Sequence, residues 1–316
     1  MSSPAVKPRR FDRDVNGILL LDKPLGLSSN AALQQARVLF RAIKAGHAGS
    51  LDPLASGMLP VCFGQATKIC AFLLDARKTY QFTARLGERT DTADAEGVVI
   101  ERQTVAKLTA DQIQTVLRAS LGEQQQVPPM YSALKHQGER LYSLARRGET
   151  VERLARPIVI ESLALVRFDS DELELTVRCT KGTYVRTLAE DIAKRLKTVA
   201  HLTALRRLQV DPFGDRPMYS LDRLRELSSA ELDAALIAPD EALPQLPAVQ
   251  FDLQGEQALL RGQCVVTSIE DGVTSWVRMY GVQRRFLGLG EVSELVGELG
   301  AERTIQPRRL MVTQSS

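Results

Sequence analysis

Cysteine is sparse in this chain and histidine sparser, with four and three residues among 316. Cys62, Cys70, Cys179 and Cys264 include no C-x-x-C pair, which argues against a disulfide framework and a thiolate zinc site and fits a reducing compartment. The three histidines add no metal-ligand spacing, so no metal is expected. No apolar run approaches the roughly 18 residues that a membrane span needs. The N-terminal stretch MSSPAVKPRRFDRDV is basic but lacks the apolar segment of a secretory signal. A cytoplasmic protein, neither exported nor membrane-bound, is expected. Strong charge is missing too: a net charge of +3 and an isoelectric point of about 8.7 permit a polyanionic partner without the markedly basic footprint of many nucleic-acid binders. Residues 249–316 hold 7 Lys and Arg against 8 Asp and Glu, so a phosphate-binding surface belongs mainly to the larger N-terminal part.

What remains is the composition of a globular chain, 44% hydrophobic and 25% charged, at a length that suggests about two domains. Its most informative stretch is Gly46 to Pro60, GHAGSLDPLASGMLP, which cannot be regular structure throughout. Glycines at 46, 49 and 57 open backbone conformations closed to other residues. Pro53 restricts Asp52 to an extended or turn conformation and so fixes where its carboxylate points. The segment reads as an active-site loop that aims one aspartate.

Periodicity places this loop in an α+β chain. GILLLD at Gly17 to Asp22 reads as a strand, and Leu33, Ala36 and Phe40 form a helical stripe opened by a Ser28 or Ser29 cap. Ile69, Phe72 and Leu73 suggest another helix. KTYQFTARLG then alternates, with Tyr80, Phe82, Ala84 and Leu86 on one face of a half-buried strand. Thr109 and Gln112 make a capping box, Leu141, Leu144 and Ala145 mark a helix ending near Gly148, and ELELTVRC alternates again. Thr183 is the expected cap of a helix striped by Leu188, Ile192 and Leu196, with Tyr184 and Arg186 in its first turn. The proline-rich APDEALPQLPAV marks a boundary, giving a flexible tail over 1–16, a main domain over 17–248 and a small β-rich domain over 249–316. Within that small domain CVVTSI, SWVRMY and RFLGLGEV read as short strands of a barrel-like unit.

The segments LLLDKPLGLSS, GHAGSLDPLASGMLP, KTYQFTARLGERTDTADAEG, PPMYSALKHQGERLY, KGTYVRTLAEDIA and AHLTALRRL, in this order, resemble the bacterial TruB family, the tRNA pseudouridine-55 synthases. The resemblance runs from about Gly17 to Leu208, and the small domain looks like that family's PUA-like domain. It implies a pseudouridine synthase fold with a mixed, largely antiparallel sheet flanked by helices and loops. It also implies a substrate uridine in the T arm (T-psi-C loop) of tRNA, no cofactor, no guide RNA and no membrane, and a monomer is expected.

Carried over residue by residue, the resemblance makes Asp52 the nucleophile, Arg186 the cation that pairs with and orients it, and Asp94 the residue that ties the arginine into the site. Tyr80 becomes the ring that stacks on a flipped uridine, with Tyr184 and Leu205 as further walls. From periodicity alone, these three would be ordinary core residues. His47 is implied to bind RNA rather than serve as a general base, and Lys23 belongs to the supporting layer. The family frequently has threonine where this chain has Ala48, which removes one hydroxyl near the RNA. QGERLYSLARRG and ALRRL offer Arg and Lys for the backbone of an RNA hairpin read by shape, although a solvated helix face would look the same. A tRNA-folding factor with secondary catalysis is the alternative function.

Overall fold

GILLLDK is buried along nearly its whole length and forms the strand Gly17–Lys23 within a nine-stranded sheet. The computed structural model describes residues 11–132, 134–268, 275–295 and 302–311. Gly17–Lys23 pairs with the short strand Tyr219–Ser220 on one side and with Ala55–Phe63 on the other. From there the order runs through Ala200–Val210, Lys78–Leu86, Glu172–Cys179 and Arg156–Asp169 to Gly122–Gln126, while Ala45–His47 pairs with Ala55–Phe63 off this path. Two pairings are parallel and the rest antiparallel, which is the mixed, largely antiparallel sheet expected of an α+β chain.

Helices cover the sheet where the apolar stripes require. Leu188, Ile192 and Ala193 of Val185–Arg195 pack into one core with Phe82, Ala84 and Leu86, and Leu33 and Ala36 of Ser29–Leu39 into another with Leu19, Leu21, Leu59 and Val61. Ser28 caps the second helix by accepting from the Ala31 N–H at 3.1 Å, and the Thr109–Gln112 capping box opens Ala110–Arg118. Thr183 is not a cap: its hydroxyl donates to the Thr180 carbonyl at 3.0 Å, and Tyr184 takes the N-cap place of Val185–Arg195 without a side-chain bond.

Gly46–Pro60 is less of a loop than its glycines imply. Its ends lie in the strands Ala45–His47 and Ala55–Phe63, leaving 48–54 irregular. Gly57, at φ +100°, lets two strands meet, since a Cβ there would stand 2.2 Å from the Arg207 carbonyl oxygen.

A second sheet of five strands follows, ordered Ala248–Gln250, Trp276–Tyr280, Phe286–Leu295, Glu302–Leu310, Val265–Ser268. It is the β-rich unit read from the sequence, with an added helix, Leu253–Leu260, capped by Asp252. Of CVVTSI, Ile269 lies outside the described residues. This sheet has its own core around Leu259, Val277, Met279 and Ile305, yet Leu289 and Met311 are buried in one cluster with Ile18, Leu20 and Met58 of the larger sheet and with Phe213, just after its strand Ala200–Val210. Phe72 meets Trp276 edge-on at 5.6 Å, and the Lys68 ammonium donates to the Leu310 carbonyl at 2.5 Å. Residues 1–10 of the expected tail lie outside the described residues. Residues 11–16 are anchored: Val15 is buried, and the Asn16 side-chain oxygen accepts from the Gln65 N–H at 2.6 Å.

Candidate active site

Four sets of hydrogen bonds fix the loop that carries Asp52. The Ala48 N–H donates to the Pro60 carbonyl at 3.0 Å, Gly26 to Pro53 at 2.9 Å, and Ala55 to Asp52 at 3.0 Å. Ser29, buried at the start of its helix, accepts from the Leu51 N–H at 2.7 Å and donates to the Leu51 carbonyl at 3.0 Å. Its single hydroxyl thereby satisfies both backbone groups of the residue before Asp52. Ser29→Ala is expected to cost about 1–3 kcal/mol of stability by leaving those buried groups unpaired, visible as a lower melting temperature, with a smaller loss of rate.

Arg186 is the second residue of Val185–Arg195, a place where the helix dipole disfavours a cation. Four acceptors offset that cost. The guanidinium reaches Asp52 Oδ2 at 2.9 Å, Asp94 Oδ2 at 3.5 Å, the Tyr131 carbonyl at 2.7 Å and the Thr92 carbonyl at 3.0 Å. Side-chain exposure falls to 5% for both Arg186 and Asp94 but is 45% for Asp52, so the pair is sealed behind and open in front. Asp94 is itself braced, accepting from the Thr92 hydroxyl at 2.6 Å and the Glu96 N–H at 3.1 Å. The cleft walls raise the Asp52 carboxyl above its ordinary value by desolvation, and Arg186 pulls it back down.

The open side of Asp52 faces a cavity of about 330 Å³, walled by Tyr80, Tyr184, Leu205, Lys78 and Arg207. A larger hollow of about 440 Å³ shares Leu205 but is lined by Gln81, Thr83, Glu174 and Arg206 and has neither Asp52 nor Arg186, so the chemistry belongs to the smaller one. Tyr80 sits in register between Val177 and Arg207, and burial raises its phenol, with Arg207 opposing. Lys23 is fully buried, its ammonium donating to the carbonyls of Pro24 at 2.8 Å and Leu27 at 2.6 Å. Burial takes its pKa down to about 8 despite the field of Asp52. His47 ends its strand outside the cleft lining, with its pKa lowered first by burial and then by Arg207, which favours the neutral ring. Asp52, Arg186, Asp94, Tyr80, Tyr184 and Leu205 therefore converge, Lys23 stands behind them, and His47 stands to the side.

Sequence reasoning missed Arg207. ALRRL, read as a basic face for RNA, lies in the strand Ala200–Val210, where Arg206 turns to Asp22 at 2.8 Å and Arg207 is buried. Arg207 donates to the carbonyls of Met58 at 2.6 Å and Gly49 at 3.0 Å, tying that strand to the aspartate loop. Two bulges, at Leu202/Ala204 and Arg207/Gln209, break the two-residue period that would have revealed it. The exposed Arg140 and Arg146 do flank Tyr142, as a basic surface would require, whereas Arg147 is held by Glu139 and Glu149.

Three family profiles match in succession: "TruB family pseudouridylate synthase (N terminal domain)" over 37–185, "tRNA pseudouridylate synthase B C-terminal domain" over 186–244 and "Pseudouridine synthase II TruB, C-terminal" over 247–311. The chain belongs to the TruB family. Among TruB relatives, a tRNA pseudouridine synthase B of Chromohalobacter salexigens is 48% identical over 97% of this chain and 98% of its own length. Another, of Methylobacillus flagellatus, is 46% identical over 96% and 97%. This TruB chain is thus a pseudouridylate synthase. Its fold also superposes on a solved Cbf5-Nop10-Gar1 complex with a TM-score of 0.73 at 23% identity, covering 93% of this chain and 84% of that one. An H/ACA RNP bound to a substrate RNA containing 2'-deoxyuridine gives 0.71 at 20% identity, covering 99% and 93%.

Proposed function

We propose that this protein converts uridine 55 in the T arm of tRNA to pseudouridine, without a guide RNA or cofactor, by flipping the nucleotide into the cleft and attacking it with Asp52. The observation that carries this reading is the Asp52 carboxylate, held at 2.9 Å by a buried arginine and open to a cavity walled by two tyrosines. Relatives matching 97% of the chain are named tRNA pseudouridine synthase B, which supports tRNA as the substrate.

The reaction breaks the bond between uracil N1 and ribose C1′, turns the base, and joins C5 to C1′. N1 gains a proton and C5 loses one, so atoms balance with no co-substrate. A carboxylate suits both routes to the detached base, addition at C6 or attack at C1′, because it bonds and then departs. Arg186 favours the ionised form from which either attack starts. A uridine within folded RNA must leave its stack to reach such a cleft, and Tyr80 offers it a new platform.

Tyr80→Leu is expected to weaken the hold on the flipped base by about 1–3 kcal/mol, the range for base–aromatic stacking. Tyr80→Phe keeps the stack. Near-normal turnover in that variant assigns Tyr80 a platform role, whereas severe loss with normal binding puts its hydroxyl in the proton transfer. A thermal melt of both variants separates either result from lost packing. The overall reading is tested by incubating the purified protein with unmodified tRNA transcript and mapping pseudouridine by position. Product at position 55 supports it, and modification elsewhere, or none, sinks it.

A further inference from the structure

The helix that delivers Arg186 begins without a side-chain cap, and Thr183 spends its hydroxyl elsewhere. Tyr184, just ahead of that helix, is extended at φ −97° and ψ 111°, a conformation that turns its N–H and C=O to one side. Both groups meet one side chain: the Tyr184 N–H donates to Gln126 Oε1 at 2.7 Å, and Gln126 Nε2 donates to the Tyr184 carbonyl at 3.1 Å. A carboxamide is suited to this, since it carries a donor and an acceptor side by side in one plane. Gln126 is 3% exposed, at the end of the edge strand Gly122–Gln126. Five residues later the same segment supplies the Tyr131 carbonyl that accepts from Arg186 at 2.7 Å. One side chain therefore fixes the start of the arginine's helix and the approach to one of the arginine's acceptors.

We propose that Gln126 is a positioning residue for the reaction: its carboxamide clamps the backbone of Tyr184 and so sets where Arg186 presents its guanidinium to Asp52. The inference rests on the reading of Asp52 as nucleophile and Arg186 as its partner. Gln126 itself contacts neither Asp52 nor the guanidinium among its hydrogen bonds. It acts through Tyr184, two residues from the arginine, as Ser29 acts through Leu51, one residue from the aspartate. Both partners of the ion pair are thus held by a buried side chain that satisfies both backbone groups of a single upstream residue.

The test uses the full-length protein and unmodified tRNA transcript, with single-turnover rates at saturating tRNA measured against pH. Gln126→Met keeps the length and removes both hydrogen bonds. It is expected to lower the rate by about 10- to 100-fold, the scale of a misplacement near 1 Å, while tRNA affinity stays within about threefold. The acid limb of its profile moves upward, because Asp52 loses part of the field that keeps it ionised. A wild-type rate, or a lowered rate with the acid limb unmoved, overturns the proposal. Gln126→Glu supplies the second arm. Its carboxyl, while protonated, offers the same donor and acceptor, so the rate is expected near wild type at low pH and lost as the carboxyl ionises with rising pH. Should Gln126→Met fail to fold, this arm decides alone: a profile parallel to wild type overturns the clamp. Asp52→Asn separates the two levels. If it keeps turning over, the reading of the site falls and takes the clamp with it; if it is dead while Gln126→Met behaves as wild type, the clamp alone falls.

Discussion

Asp52→Asn is expected to lower turnover by about 10⁴-fold or more, the scale of lost nucleophiles elsewhere, while tRNA binding stays nearly intact. Asparagine keeps the size and the place on the loop, which is set by backbone bonds from Ala55 and Gly26 and by the Ser29 clamp on Leu51. It removes only the charge that attacks. Single-turnover kinetics with tRNA beside a binding assay checks this, and a variant retaining a substantial fraction of wild-type rate would remove Asp52 from the nucleophile's role. The same substitution is expected to stabilise the fold at neutral pH. The folded protein holds the Asp52 carboxyl above its ordinary 3.8, so folding favours the protonated acid. That contribution is complete below about pH 3.8 and is lost as pH rises through the folded value. The melting temperature of Asp52→Asn should exceed wild type at neutral pH and converge with it in acid. A carboxylate kept ionised beside desolvating walls is a site held at some cost to stability.

Arg186 carries the second large effect. Arg186→Met leaves Asp94, 5% exposed, as a buried carboxylate without its cation, and unpairs two carbonyls at once. Breaking a buried pair from one side costs about 3–5 kcal/mol, so this variant is expected to melt far below wild type. Arg186→Lys is the cleaner probe. A lysine keeps the charge but not the planar fork that serves Asp52, Asp94, Thr92 and Tyr131 together. It should fold, bind tRNA, and lose about 10²- to 10³-fold in rate, the scale of losing one preorganised electrostatic contact. The sign of the pH effect follows from the nucleophile: rate is lost as pH falls through the Asp52 value, and weakening the arginine's pull moves that limb upward. A lysine variant with wild-type rate and an unmoved limb would show that Asp52 does not depend on Arg186.

The parts of this site visible in the sequence were those whose chemistry is local. Pro53 after Asp52 and the glycines around it announce a constrained loop, and a cation two residues into a helix announces a partner. Tyr80 was legible as buried because its strand alternates without a bulge through Leu86. What hid were side chains whose task is to satisfy distant backbone. Ser29 looked like a second possible cap beside Ser28, and nothing near it reports that Leu51 is its partner, 22 residues away. Gln126 sits in the polar run GEQQQ, where one buried amide resembles its exposed neighbours until Tyr184 is placed beside it. Arg207 reads as surface in the sequence because paired arginines usually are, and the register shifts at Leu202/Ala204 and Arg207/Gln209 scramble the alternation. Thr183 failed as a cap because a hydroxyl one position too early was within reach of Thr180.

The seam between the two sheets bears on how this protein fares in a cell. Leu289 and Met311, from the last strands and the chain beyond them, fill the same cluster as Ile18, Leu20 and Met58 beneath the catalytic sheet. Losing those strands uncovers apolar surface on the part that does the chemistry, and unfolded or partly open chains are what cellular proteases consume. A nonsense codon beyond Val249 would accordingly be read out as missing protein, through degradation, before it could be read out as a weaker grip on RNA.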